Sequence, residues 1–240
     1  MDDATIHDTT PPGTPITVAA GGVTLAYRTW GAPAAPPVLL LHCRGADSGD
    51  WAEVATALAV RHRVLALDLP GHGRSEWSGG YTYEAMRDDV SAFLDALGIG
   101  RTAVIGHSLG GAVAYLLAQR EPGRVSRLVL EDVPAPIPLD PPRPPAERPD
   151  GELPYDWRMI LATDRQRNAP GAGWWDGMAR ITAPTLLIGG GAASFIPQDH
   201  ILVLAGLVPD ARLVTIDAGH HVHRERPVDF LGVVEPFLAS

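Results

Sequence analysis

Short runs that are apolar almost throughout alternate, from residue 37 to the end, with stretches whose apolar positions recur every three or four residues. The runs are "PVLLLH" (37–42), "RVLALDL" (63–69), "TAVIG" (102–106), "VSRLVLED" (125–132), "PTLLIGG" (184–190) and "ARLVTIDAG" (211–219). Apolar continuity at that length marks strands covered on both faces. Helical spacing appears in "DWAEVATALAV" (50–60), "YEAMRDDVSAFLDALG" (83–98, stopped at Gly98), "SLGGAVAYLLAQREP" (108–122), a stretch near 198–206 and "VDFLGVVEPFLA" (228–239). Ahead of them, "ITVAAGGVTLAYRTWG" (16–31) predicts an antiparallel hairpin. The pattern therefore predicts an α/β fold with a mostly parallel central sheet and helices on both faces.

One segment breaks the rhythm. Residues 133–154 contain nine prolines, which forbid helix and interior strand. A short helix within "YDWRMILATDRQRN" and the aromatic "GWWDGM" follow. The expected organisation is a loose leader over 1–15, a core over 16–132 and 183–240, and a small Pro/Trp-rich cap over 133–182. A long structureless loop in a compact domain is uncommon, and the tryptophans need an apolar surface.

Composition narrows the function. The chain has 240 residues and a net charge of −9, and all 19 of its basic residues are arginines. Such a chain without a basic cluster is a poor partner for nucleic acid or an anionic membrane. No apolar run reaches the ~20 residues of a membrane span, and the N-terminus lacks signal-peptide features, so a cytoplasmic location is expected. Cys43 is the sole cysteine, which excludes an intrachain disulfide. The "GHHVH" histidines have no second ligand group at metal-site spacing, and no nucleotide-binding glycine motif follows the first strand, so no metal or cofactor is expected. The expected partner is a small, apolar molecule; a homodimer stays open.

Candidate chemistry centres on Gly106-His107-Ser108-Leu109-Gly110, a G-x-S-x-G sequence between a strand and a helix. A sharp strand-to-helix turn leaves no room for side chains two positions either side of the serine, and it presents the hydroxyl at the sheet's carboxyl edge. A serine needs a base. His220 lies between the last strand and last helix, in a loop at the same edge. His42 and His107 sit beside loop glycines, His223 fits a packing or hydrogen-bonding role, His72 belongs to a turn, and His7, His62 and His200 read as surface residues.

"LLLHCRGADSGDW", "LALDLPGHGRS", "GHSLGG" and "AGHHVHRERP", in this spacing, resemble the α/β-hydrolase fold family over residues 16–240. The resemblance implies Ser108 as nucleophile, His220 as general base, and an acid on a strand end between them. Members usually carry that acid after the strand matching "PTLLIGG", where this chain has Ala193. A minority place it one strand earlier, where Glu131 and Asp132 stand; Asp132, leaving the strand, is the expected acid, with Glu131 and Asp199 as alternatives. The backbone N–H of Leu109 is one expected oxyanion donor. The resemblance makes Arg44 the second, after His42-Cys43 where the family has His-Gly. "DLPGHGRS" is a structural turn there.

Expected pocket residues are His42, Cys43, Trp157, Trp174 and Trp175. Trp51 is expected in the core, and Cys43 as inert packing in preference to a nucleophile. The resulting expectation is a cofactor-independent serine hydrolase of an ester, lactone or related acyl compound. Two alternatives are the same triad in C–C hydrolysis, acyl transfer or cofactor-free lyase or oxygenase chemistry, and a non-catalytic binding protein.

Overall fold

The computed structural model describes residues 11–240; residues 1–10, including His7 and most of the leader, lie outside the described residues. Eight strands form one sheet: β1 (Ile16–Ala20), β2 (Val23–Trp30), β3 (Pro37–Leu41), β4 (Arg63–Leu67), β5 (Thr102–His107), β6 (Val125–Glu131), β7 (Thr185–Gly189) and β8 (Ala211–Thr215). Their order is β1-β2-β4-β3-β5-β6-β7-β8. The β1–β2 and β2–β4 pairs are antiparallel and the rest parallel. The helices are α1 (Ala52–Leu58), α2 (Tyr83–Ala96), α3 (Leu109–Arg120), α4 (Trp157–Asn168), α5 (Ala172–Gly177), α6 (Gln198–Leu207), α7 (Val222–Glu225) and α8 (Pro227–Ala239).

Alternation within the strands explains why both faces are covered. Leu39, Leu41, Leu65 and Leu67 pack with α2, α3 and α6, whereas Val38, Leu40, Val64 and Ala66 pack with α1 and α8. All are fully buried, and each leucine or valine among them contributes roughly 2 kcal/mol. α3 is buried from Leu109 to Gln119 because the sheet, α2 and α5 enclose it. Thr82 caps α2, its hydroxyl accepting from Ala85 N, and Gly98 ends that helical stretch at φ 66°.

Residues 133–154 form no helix or strand. Met159, Ile160, Trp174 and Met178, further along this insertion, join the same apolar cluster as α2 and α3. From β3 the chain moves outward to β4 and returns to β5 on β3's other side. Such a reversal opens a crevice at the carboxyl ends of the two strands. The loops carrying Cys43-Arg44 and Ser108 leave from there.

Candidate active site

The turn after β5 is as tight as its glycines allow. Ser108 has φ 50° and ψ −109°, and its N–H donates to the Glu131 carbonyl at 3.0 Å. A Cβ on Gly106 would lie 2.5 Å from the Gly110 carbonyl oxygen, and one on Gly110 would lie 2.4 Å from that of Leu41. Neither space admits a side chain. Among the described residues, only Ser108 and Asp132 (φ 49°) are non-glycine residues with positive φ. Strained backbone of this kind persists where surrounding structure enforces it, and it concentrates at functional sites.

Asp132 leaves β6 fully buried. His220 Nδ1 lies 2.7 Å from its Oδ2. Because a carboxylate only accepts, Nδ1 carries the proton and Nε2 is the basic nitrogen. Gly190 N donates to Oδ1 at 2.9 Å and the Ser194 hydroxyl to Oδ2 at 2.5 Å. The other two candidate acids point elsewhere. Asp199 is exposed and accepts from His200 N.

Glu131 faces the opposite side of its strand end and grips His223, accepting from its N at 2.9 Å and its Nδ1 at 2.8 Å. Asp50 flanks the other ring nitrogen at 3.3 Å and pairs with Arg224; Trp51 stacks on the ring at 4.0 Å. Burial disfavours charge on His223, but the two carboxylates outweigh it and raise its pKa to about 9. The loop presenting His220 is thus riveted at His223, which gives Glu131 a positioning role.

His107 is fully buried against His220, His221 and His223, and desolvation lowers its pKa to about 3. Cys43, Asp50, His107 and His221 each bring one potential ligand atom within 4.8 Å of the others, a grouping that sequence spacing did not reveal. The cluster is not closed by hydrogen bonds: Asp50 Oδ2, both ring nitrogens of His107 and His221 Nδ1 are buried without a hydrogen-bond partner among the described residues. Asp50 is ion-paired to Arg224, and burial pushes the Cys43 thiol up to about 12, so it keeps its proton.

A cavity of about 260 Å³ opens over Ser108, with Cys43, Arg44, Leu109, Trp174, His220 and His221 in its wall. Three expected pocket residues fall outside it. His42 is fully buried, Nδ1 donating to the Cys43 carbonyl at 2.7 Å and Nε2 accepting from Leu69 N at 2.9 Å. It braces the loop and does not line the cavity. Trp157 packs partly buried against the core, and Trp175 is 40% exposed; neither lines the cavity. Trp174 does, its Nε1 donating to Glu84. Conversely His200, expected at the surface, lines the wall with Tyr83, Tyr115, Arg143, Arg167 and Phe195, none of which sequence reasoning singled out. Phe195 packs its ring 4.2 Å from that of His220. Trp51 is fully buried, as expected, and Asp68 of "DLPGHGRS" accepts from Ser48 N and Arg74 N as a turn organiser.

Residues 36–169 match the family model of the alpha/beta hydrolase fold. The chain belongs to the α/β-hydrolase family. Among solved structures, this α/β hydrolase is similar to a hydrolase from Pseudomonas aeruginosa PA01, at 31% identity and a TM-score of 0.82, covering 95% of this chain and 99% of that one. It is also similar to the enol-lactonase from Burkholderia xenovorans LB400, at 25% identity and a TM-score of 0.79, with 94% and 100% covered. Among curated proteins it is 28% identical to the sn-1-specific diacylglycerol lipase ABHD11 of Danio rerio, over 91% of this chain and 84% of that protein. No helix among the described residues is long and apolar enough to cross a membrane.

Proposed function

We propose that this α/β hydrolase is a cofactor-independent serine hydrolase that cleaves a small carboxylic ester, lactone or related acyl compound through an acyl-enzyme. The observation that carries the reading is the 2.7 Å hydrogen bond from His220 to the buried Asp132, in the wall of the cavity that Ser108 also lines. In this reading Ser108 Oγ attacks the acyl carbon while His220 Nε2 takes its proton. The imidazolium then returns that proton to the leaving alkoxide, Asp132 stabilising the charge without itself being protonated. The N–H groups of Leu109 and Arg44 stabilise the oxyanion, each contributing on the order of 3 kcal/mol. Water, deprotonated by His220, attacks the acyl-enzyme; the acid departs and Ser108 regains its proton. Residues 133–182 serve as the cap that narrows the cavity.

A fluorophosphonate should label Ser108 stoichiometrically, and short-chain aryl esters should turn over. Ser108→Ala should abolish both. Labelling without turnover of any ester would assign the triad to other chemistry, and absence of labelling would make the fold a binding scaffold.

A further inference from the structure

The charge on the cavity wall is not explained by acyl chemistry alone. In a chain of net charge −9, Arg44, Arg143 and Arg167 line the cavity, and among the described residues no aspartate or glutamate does. Arg44 is neutralised by Asp164. The side chains of Arg143 and Arg167 have no hydrogen bond or ion pair among the described residues.

The end of α4 organises all three. Asp164 takes Arg44, and Arg167 follows one turn later. Asn168 then clamps the proline-rich segment of the insertion: its side chain accepts from Arg143 N at 3.0 Å and donates to Arg143 O at 2.9 Å, while its carbonyl accepts from Leu139 N. A basic residue in the last helical turn favours the helix dipole, which accounts for Arg165, exposed and bonded back to Leu161 O. It does not account for a guanidinium in the cavity wall beside two others. Burial, reinforced by Arg143 and Arg44, pushes Arg167 below the usual arginine range. Tyr83 and Asp164 offset part of that shift without bonding to the guanidinium; a desolvated cation that lacks a hydrogen bond is costly, and a bound anion relieves it.

We propose that the acyl substrate carries a second, anionic group, a carboxylate or a phosphate-type group, and that Arg167 with Arg143 binds it while the acyl carbon meets Ser108. This rests on the serine-hydrolase reading and adds a substrate class to it. A cavity of about 260 Å³ suits a short molecule, being below the ~300–1,000 Å³ of sites for drug-sized ligands.

The test compares three aryl esters of one chain length: 4-nitrophenyl hemiglutarate, its terminal phosphonate analogue, and its neutral methyl ester. At least one anionic ester should exceed the neutral one by about tenfold or more in kcat/KM, mainly through KM, as expected of a charge-assisted hydrogen bond. Their ranking identifies the anion. Arg167→Met should erase the gap, lowering kcat/KM for the anionic ester about tenfold more than for the neutral one, with Arg167→Lys restoring part of it. A neutral ester that is turned over equally well or better, or a gap that survives Arg167→Met, overturns the proposal. If none of the esters is cleaved, the hydrolase reading fails separately, and calorimetry with glutarate and inorganic phosphate still decides the anion site. Binding to Ser108→Ala that is lost in Ser108→Ala/Arg167→Met supports it; no binding of either anion overturns it.

Discussion

Ser108 and Asp132 sit at φ values of 50° and 49°, where an L-residue stores roughly 1–3 kcal/mol of strain. Removing the side chain at 108 should therefore separate stability from activity. Ser108→Gly should gain about 1 kcal/mol in urea unfolding while losing turnover, whereas Ser108→Ala should lose turnover without that gain. At Asp132, an amide would present an N–H or a weaker acceptor to His220 and disturb its tautomer. Asp132→Asn should lower kcat by on the order of 10⁴, judging by the equivalent change in a serine protease triad, and Asp199→Asn should leave it within about twofold, since Asp199 is exposed and its carboxylate accepts from His200 N. The serine was legible in the sequence because close backbone approach demands glycine at 106 and 110. The tryptophans were not, because hydrophobicity says that a ring is covered but not whether by core or cavity; Trp174 and Trp175 are neighbours with opposite fates.

The paired acids ending β6 show what an element adds. Successive residues of a strand point to opposite sides, so Glu131 secures His223 while Asp132 meets His220. His223 binds its proton up to about pH 9, against 6.5 for the ordinary histidine. A raised folded pKa means stability fully present below 6.5 and lost as the pH rises through 9. Melting temperatures of the wild type should fall across this interval, and His223→Gln should start lower and show a flatter profile. His107, buried neutral with its pKa down near 3, acts only below 6.5 and does not mask the effect. Strands and helices were readable from periodicity, since β3, β4, β5 and β7 are buried almost throughout their length. Glu131's grip and the place of His200 in the cavity wall depend on which loops meet at the sheet edge, which local pattern does not encode.

Across the whole molecule, a net charge of −9 contrasts with the arginines in the cavity wall, and the ion pair of Arg44 with Asp164 joins the loop after β3 to α4 of the insertion. In the proposed mechanism the Arg44 backbone supports the oxyanion, so releasing its side chain should disturb chemistry at a distance. Asp164→Asn should lower kcat for a neutral ester several-fold with little change in KM, and adding Arg44→Met should cost no further loss. A double-mutant cycle on single-turnover rates measures that coupling. Fully additive losses would mean that the tie has no part in catalysis.

The bonds around Asp132 also bear on how such a centre can change over time. Gly190 N and the Ser194 hydroxyl, both from the loop after β7, already touch the carboxylate that orients His220. Two neighbouring segments thus converge on one imidazole, and the negative charge has two addresses within a few ångströms. A lineage could move it from one to the other by gaining a second carboxylate before discarding the first, with the histidine never left unsupported.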